Sequence, residues 1–178
     1  MISIFIGMCL FAGCPCQAGK KKVLFDFETD ACLDRIRWRC HTRFSLENVH
    51  ATHGRRSLRM VFYPSEYPAF SPMIDTHDIQ CYKGLSIDIY NPENGTVHIH
   101  VRIDDKKGAM DPKDRYHQLI ALKPGHNQIR MPFRFLRTTG TRRLMEPKDI
   151  CKFSIYMTHL NEPVVLFFDY IHYGKMFT

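Results

Sequence analysis

The stretch from Val97 to Asp104 reads VHIHVRID, with apolar and polar side chains in strict alternation. This period of two is typical of a β-strand with one face in a core and the other outside it. Similar short runs, broken by Gly, Pro and Asn, fill the chain after residue 20. They predict strands at 23–27, 57–63, 85–90, 97–104, 116–122, 128–132, 152–158 and 164–173.

Helical patterns are scarce in this sequence. Only residues 30–38 and 146–150 are candidates, and Pro147 suits the first position of the second segment. Eight or nine short strands without a long amphipathic helix predict an all-β fold, either a β-sandwich or a barrel. A chain of 178 residues has room for one such domain, which we place at residues 22–174.

The composition restricts the possible functions. The chain is 44% apolar and 12% aromatic, which argues against disorder. Its formal net charge of +7 favours acidic surfaces or polyanions as partners. The lysines and arginines are scattered, however, and match no nucleic-acid motif, so we predict no nucleic-acid partner.

Residues 1–18 differ from the rest of the sequence. The apolar run 1–12 is too short to cross a bilayer, and Cys16-Gln17-Ala18 resembles a cleavage site. These features predict a signal peptide and an exported protein, periplasmic or secreted, whose mature chain has no transmembrane segment. Two alternatives remain: a lipoprotein leader that anchors the protein to the cell envelope through Cys14, and a retained, buried segment.

The mature chain keeps four cysteines, namely Cys32, Cys40, Cys81 and Cys151. An exported protein permits disulfides, and Cys32 and Cys40 are the pair nearest in sequence. Free thiols are an equally good interpretation. No C-x-x-C motif occurs, which disfavours a zinc or redox site.

The polar face of three predicted strands has an unusual composition. If the strands share a sheet, they bring together carboxylates, imidazoles, a guanidinium group and aromatic rings. Such a mixture can bond sugar hydroxyls and stack on sugar C–H faces, although an ordinary solvated face is the alternative. The residues concerned are Asp88, Tyr90, His98, His100, Arg102, Asp104, Ser154, Tyr156 and Thr158.

Neither catalysis nor a transition-metal site is indicated. His98 and His100 share a face, but two ligands do not make a site. Nothing fixes the separation of Asp104-Asp105 from Glu28, and no nucleophile motif occurs. We therefore predict a non-catalytic, monomeric binding domain. A protein-interaction or assembly domain is the alternative, ahead of a glycan-active enzyme.

Two acids break the apolar pattern. Asp169 lies among Val165, Phe167 and Ile171, whose parity predicts a core face, and Glu28 ends the first strand. A buried carboxylate is costly unless it is paired or binds a cation. A structural Ca²⁺ would satisfy both acids, and so would pairing with arginine or backbone amides.

Four stretches of the sequence together resemble a known family. They are Leu24 to Glu28, His53 to Leu58, Ile129 to Phe135 and Leu166 to Ile171. In order and spacing they are similar to the galactose-binding-like jelly rolls of carbohydrate-binding modules, with family 11, which binds β-glucans, as the nearest type. The domain of the complex I intermediate-associated proteins is related. The resemblance covers nearly all of residues 22–174.

The resemblance implies a two-sheet antiparallel jelly roll with a ligand cleft on one concave sheet. It also implies a structural Ca²⁺ held by Glu28 and Asp169, with carbonyl oxygens from residues 53–57. Cleft positions that match the family are Tyr67, Asp104 or Asp114, Arg137 and Tyr156.

One departure from the family concerns charge, because the chain has more His and Arg than a neutral β-glucan requires. The expected partner is thus a polysaccharide or cell-envelope glycan, and an acidic polysaccharide is an alternative. Trp38, the single tryptophan, is either a core residue or a binding platform.

Overall fold

The computed structural model describes residues 21–76, 79–108 and 111–174, apart from the side chain of Trp38. The predicted leader at residues 1–18, with Cys14, lies outside the described residues. The role of the Trp38 ring also lies outside them.

The described residues form eleven strands and five short 3-10 helices, joined by turns and loops. The strands are β1 Lys22–Phe25, β2 Ile36–Cys40, β3 Thr42–Glu47, β4 Ser57–Phe62, β5 Ala69–Pro72, β6 Gly84–Asn91, β7 Val97–Asp104, β8 Tyr116–Leu122, β9 Gly125–Pro132, β10 Lys152–Tyr156 and β11 Val164–Gly174. The 3-10 helices are Asp30–Arg35, Ile79–Cys81, Pro112–Asp114, Phe133–Phe135 and Pro147–Asp149.

The strands form two sheets, and every pairing in them is antiparallel. One sheet has five strands in the order β2-β5-β10-β7-β8. The other has six, in the order β3-β4-β11-β6-β9, with β1 added beside β11. The predicted two-sheet antiparallel β-sandwich is confirmed.

The core lies between the sheets and is built from the apolar parity of the strands. In β7, Ile99, Val101 and Ile103 are buried, whereas His98 is exposed and His100 is half-buried. Strand β6 contributes Leu85, Ile87 and Ile89 in the same way, and aromatic residues fill the remaining space. Removing this apolar surface from water is the main driving force for folding.

The predicted helix at 30–38 is wrong in its second half. The 3-10 helix ends at Arg35, and the chain continues as β2, which pairs with β5. The helix start has no side-chain cap, since Thr29 makes no capping hydrogen bond. Such a short segment has little helical stability of its own, and pairing with β5 provides its backbone partners. Strands β2, β3 and β5 were absent from the sequence prediction.

Strand β11 has an irregularity that changes which side chains face the core. Its register against β6 shifts between Asp169 and His172, where Tyr170 has a φ of 46°. Leu166 and Phe168 therefore face the core before the shift, and Ile171 faces it afterwards. The predicted core position of Ile171 is confirmed, but those of Val165 and Phe167 are wrong, because a β-bulge between Asp169 and His172 reverses the alternation. Asp169 lies on the outer face.

The remaining expectations concern cysteines and membranes. Cys32, Cys40 and Cys151 are free thiols, so no bridge joins Cys32 to Cys40. No helix within the described ranges has the length and apolar character needed to cross a bilayer.

Candidate functional site

The three polar strand faces do not all meet on one sheet. Strands β7 and β10 are neighbours in the five-stranded sheet, but β6 belongs to the six-stranded sheet. The expectation that the three strands share a sheet is wrong for β6, since pairing depends on long-range contacts that a local pattern does not encode. Tyr90 and Asp88 therefore lie on the opposite side of the molecule from His100, Arg102 and Tyr156.

The outer face of the five-stranded sheet holds an open cleft of about 580 Å³. Sheet residues form its floor, and two loop segments form a wall along one side. The lining residues are Tyr67, Ala69, Arg102, Pro112, Lys113, Arg115, His117, Thr139, Gly140, Lys152, Ser154 and Tyr156.

Aromatic rings cross the cleft floor from one strand to the next. Tyr156 lies opposite His100 in the β7–β10 register, and their rings stack with centroids 4.8 Å apart. His117 on β8 stacks on His100 at 4.9 Å. Tyr67 lies 6.5 Å from Tyr156 and leaves 52% of its surface exposed. The row therefore gives a ligand an accessible aromatic surface beside hydrogen-bonding groups.

The two histidines of this row are joined by a hydrogen bond. Nδ1 of His100 and Nε2 of His117 lie 2.8 Å apart, and Nε2 of His100 is 3.3 Å from the hydroxyl of Thr158. Burial lowers the pKa of both histidines, and the neighbouring imidazoles lower that of His100 further. Burial therefore favours the neutral form of each ring, and the bond between them requires that the accepting ring nitrogen carry no proton.

Arg102 is fixed by the acid two residues along its own strand. Its Nε donates to Oδ1 of Asp104 at 2.9 Å, and Nη2 donates to Oδ2 of the same carboxylate. Beside it, the hydroxyls of Ser71 and Ser154 share a bond of 2.6 Å. The Asp104 carboxylate is buried and does not line the cleft; it holds the guanidinium that does.

Main-chain hydrogen bonds hold the cleft wall together. The hairpin 137–144, closed by an Arg137–Leu144 bridge, packs against residues 112–115. The amide of Thr139 donates to the carbonyl of Arg115 at 2.8 Å, and that of Gly140 to the carbonyl of Lys113 at 2.9 Å. A Cβ at Gly140 would lie 2.4 Å from the Cβ of Lys113, so this close approach requires glycine.

Arg143 anchors the base of the wall. It donates to both carboxylate oxygens of Asp105 at 2.7 Å and to Oδ1 of Asp114 at 3.0 and 3.1 Å. Lys106 donates to the other oxygen of Asp114 at 2.6 Å. These carboxylates hold the pKa of Arg143 above its usual range, and Lys106 and Arg143 lower the pKa of Asp114. Asp114, predicted as a ligand contact, thus fastens the wall.

A second groove of about 620 Å³ lies beside the cleft and shares His117 and Thr139 with it. Arg137 lines this groove, not the main cleft, and its Nη1 donates to the carbonyl of Arg142 at 3.1 Å. The groove is lined by Tyr116, His117, Gln118, Phe135, Arg137, Thr139 and Arg142.

The outer face of the six-stranded sheet is occupied by residues 48–56, here called the covering loop. The His50 ring stacks on Tyr90 with centroids 3.6 Å apart and meets Phe167 edge-on at 4.7 Å. His53 stacks on Tyr170 at 4.3 Å in nearly parallel planes. The Tyr90 ring is therefore used within the fold, although the sequence predicted a ligand contact.

Asp169 holds the covering loop against the sheet. Its Oδ2 accepts from the amides of Thr52 at 2.6 Å and His53 at 2.8 Å, and Oδ1 accepts from the amide of Tyr170 at 2.7 Å. Burial raises the pKa of Asp169, while these amide bonds act in the opposite direction. Backbone amides thus satisfy the carboxylate.

Glu28 holds the far end of the same loop. Its Oε1 accepts from the amides of Arg55 and Arg56, both at 2.8 Å, and these bonds lower the pKa of Glu28. The carboxylate lies over Gly54, which has a φ of 80°. A Cβ on Gly54 would come within 2.5 Å of the carboxyl carbon. This position therefore requires glycine for both its backbone conformation and its close contact.

The donors around these acids do not fit a calcium ion. Ca²⁺ takes six to eight oxygen ligands, whereas the covering loop directs N–H groups at both carboxylates. Among the residues that the structure describes, no three His, Cys, Asp or Glu side chains are grouped to hold a metal. The structural Ca²⁺ implied by the resemblance stays a prediction.

The structure brings some of the predicted ligand contacts together and separates others. Tyr67, Arg102 and Tyr156 line the cleft. His100 stacks against both Tyr156 and His117, but it is not one of the residues that line the cleft.

Sequence reasoning missed Lys113, Arg115, His117 and Lys152 in the lining. Lys152 shares the outward parity of Tyr156 and could have been found, because both lie on β10 at even spacing. His117 required the β7–β8 register, in which it lies opposite Arg102. Lys113 and Arg115 flank the end of a short 3-10 helix and follow no period.

No protein-family profile and no curated protein sequence matches the chain. Solved structures do match it. A family 11 carbohydrate-binding module from Clostridium thermocellum, in complex with a β-1,3-1,4-mixed-linked tetrasaccharide, superposes with a TM-score of 0.62 at 15% identity, over 87% of this chain and 95% of that one. The protein has the fold of a family 11 carbohydrate-binding module.

Two further structures share this module fold. A family 22 carbohydrate-binding module from Clostridium thermocellum has a TM-score of 0.55 at 11% identity, over 85% of this chain and 91% of that one. An exo-β-agarase has a TM-score of 0.67 at 14% identity over 88% of this chain, which spans only 25% of the agarase chain. At these identities the likeness establishes the fold, and the ligand must be argued from the cleft.

Proposed function

We propose that this protein is a non-catalytic glycan-binding domain that holds a polysaccharide in the cleft of its five-stranded sheet. The observation that carries the proposal is the open cleft of about 580 Å³, floored by the accessible rings of Tyr67 and Tyr156. Ring faces of this kind stack on the C–H faces of sugars, and neighbouring polar groups fix their orientation.

The polar groups around the cleft suit sugar hydroxyls. Arg102 is held by Asp104 with part of its guanidinium open to the cleft, so it is positioned before any ligand arrives. Ser154 and Thr139 add hydroxyl groups to the lining, and His117 adds an imidazole. A preorganised set of donors lowers the entropic cost of binding.

Similar structures support a binding role over a catalytic one. Two of the similar structures are carbohydrate-binding modules covered over more than nine-tenths of their own length. The agarase is an enzyme, but this chain corresponds to a quarter of it. In the cleft itself, the described lining includes no pair of carboxylates for acid–base catalysis of glycoside hydrolysis.

Export is part of the proposal and is supported by the sequence alone. The apolar run 1–12 and the Cys16-Gln17-Ala18 site are typical of a secretory leader. Mass spectrometry of the protein purified from its host would measure the mature N-terminus. Cleavage after Ala18 supports export, and an intact N-terminus from an intracellular fraction contradicts it.

Affinity electrophoresis and calorimetry of the full chain against a panel of soluble glycans test the binding role. The panel includes mixed-linkage β-1,3-1,4-glucan, xylan, agarose fragments, polygalacturonate and a sulfated galactan. We expect at least one glycan to bind, and Tyr156→Ala to weaken binding about tenfold or more, as for a central aromatic contact.

Tyr63→Ala is the matched control, because Tyr63 is also an exposed tyrosine but does not line the cleft. It should bind as the unchanged protein does. Circular dichroism and thermal unfolding verify that each variant is folded. A folded protein that binds no glycan in the panel, or one whose binding is insensitive to Tyr156→Ala, contradicts the proposal.

A further inference from the structure

The lining of the cleft and the second groove is strongly cationic. Lys113, Arg115 and Lys152 line the cleft together with Arg102, and Arg137 and Arg142 line the groove. Within the described part of the chain, no Asp or Glu lines either of them. Six of the 25 lysines and arginines therefore line the proposed binding surface, although they are spread over residues 102–152 of the sequence.

Three carboxylates close to the cleft lining in the structure are engaged within the fold. Asp104 is buried against Arg102, and Asp105 is buried against Arg143. Asp114 bonds to Lys106 and Arg143, neither of which lines the cleft. Of these three acids, only Asp104 bonds to a side chain of the cleft lining, Arg102, and it also acts on Lys152. Six cationic side chains in the linings of the cleft and groove favour an anionic ligand.

Repulsion within the cleft also affects Lys152. Burial lowers the pKa of its ammonium group, and the neighbouring Arg102 and Arg115 lower it further, against an opposing effect of Asp104. A bound anion between these side chains would relieve the repulsion and favour the charged form.

The second groove offers a place for the ligand to continue. It adjoins the cleft through His117 and Thr139, and it contains Phe135, whose ring is 63% exposed. The guanidinium of Arg134 lies 4.6 Å from the centre of that ring. The groove thus repeats the combination found in the cleft, an accessible ring beside cations, at the adjoining position.

We infer that the ligand is an anionic polysaccharide, bearing carboxylate or sulfate groups, whose chain runs from the Tyr156 cleft into the Phe135 groove. This inference rests on the proposed glycan-binding function and specifies its substrate class. Arginine forks and lysine ammonium groups recognise both kinds of anion, the carboxylates of uronic acids and the sulfate groups of sulfate esters.

Calorimetry of the full chain tests the inference with paired probes. Polygalacturonate represents uronates, and a sulfated galactan is compared with its desulfated form, at about 50 mM and about 300 mM salt. We expect an anionic probe to bind at least about tenfold more tightly than neutral glycans and to weaken with salt. The probe that binds identifies the anion.

Two charge-neutralising variants locate the contacts. Lys152→Gln in the cleft and Arg137→Gln in the groove should each weaken binding of the anionic probe about fivefold. Lys123→Gln and Arg43→Gln are the matched controls, since both are exposed cations that line neither cavity. They should leave the affinity unchanged.

The outcomes separate this inference from the proposed function. Salt-independent binding of a neutral glycan overturns the inference and keeps the glycan-binding role, whereas binding of no glycan by the folded protein overturns both. Equal losses from the control variants, or equal affinity for polyglutamate, show general charge attraction and overturn the inference. Loss in Lys152→Gln alone overturns the extension into the groove.

Discussion

The outer faces of the two sheets carry similar residues and differ in what covers them. Both display tyrosine, histidine and aspartate at alternating strand positions. On the six-stranded sheet the covering loop lies over these side chains, and His50 stacks on Tyr90 at 3.6 Å. On the five-stranded sheet Tyr67 and Tyr156 are open in a cleft. The residue types of a strand face therefore do not decide whether it binds a ligand; the connecting loops do.

Asp169→Ala should have the largest effect on stability, because it releases the covering loop from the six-stranded sheet. It leaves the amides of Thr52, His53 and Tyr170 without their acceptor in a site where Asp169 is only 2% exposed. We expect a loss of about 3 kcal/mol in the free energy of unfolding, because buried unsatisfied donors are expensive. Urea unfolding measures it.

The same unfolding measurement tests whether the amide bonds suffice to hold the loop. We expect the midpoint to be unchanged by a chelator or by added Ca²⁺, because amides already satisfy Asp169 and Glu28. A midpoint that rises with Ca²⁺ and falls with the chelator would establish the cation implied by the family resemblance. A cost below about 1 kcal/mol for Asp169→Ala would contradict the anchoring role.

Gly54→Ala tests whether the backbone conformation of Gly54 is needed to hold the covering loop in place. The φ of 80° is strained for alanine, and the new methyl group would meet the Glu28 carboxylate. We expect a destabilisation of about 2 kcal/mol in urea unfolding, with glycan binding unchanged in the folded protein. Gly95→Ala is the control, because a Cβ there meets nothing within 4 Å. Similar costs for the two variants would contradict this account.

Acid should destabilise the cleft side through its histidine pair. Because the folded pKa values of His100 and His117 lie below the ordinary 6.5, the unfolded chain takes up protons first as the pH falls. The contribution of this pair to stability is therefore fully present above pH 6.5 and decreases as the pH falls below it. The pair should contribute at most about 1 kcal/mol, the value of a neutral hydrogen bond at a partly exposed site.

Unfolding curves between neutral and mildly acidic pH measure this dependence. His100→Gln should make it less steep without abolishing it, because burial also lowers the pKa of His50 and His172. His98→Gln should not, since His98 is exposed and lies outside the hydrogen-bonded pair. An unchanged pH dependence in His100→Gln would show that other histidines dominate and would remove the pair from the explanation.

The sequence correctly predicted the features that follow from the alternation of side chains along a single strand. Alternation in β7 and β10 correctly assigned Arg102 and Tyr156 to an outward face, because side chains of a strand point to opposite faces in turn. It misplaced Tyr90, since the pairing of β6 with β9 and β11 is decided by long-range contacts. It also misplaced Asp169, because the β-bulge in β11 changes the parity.

The cleft wall illustrates what a local period cannot predict. Lys113 and Arg115 reach the lining only because residues 112–115 dock on the hairpin 137–144. That docking joins segments more than twenty residues apart and relies largely on main-chain groups, which are the same in every sequence, beside the Arg143–Asp114 ion pair. The cationic character of the cleft was therefore visible in the composition, but its location was not.

The way the wall is fastened also affects how the protein could be re-engineered. The amides of Thr139, Gly140 and Thr141 bond to the carbonyls of Lys113 and Arg115, and the Thr139 hydroxyl also donates to the carbonyl of Arg115 at 3.1 Å. Replacing Gly140 would produce a clash with Lys113, and replacing Thr139 would remove its hydroxyl bond, whereas Thr141 contributes only its amide to the seam. The hairpin is thus a natural position for a combinatorial library, in which the scaffold stays constant and ligand preference is selected.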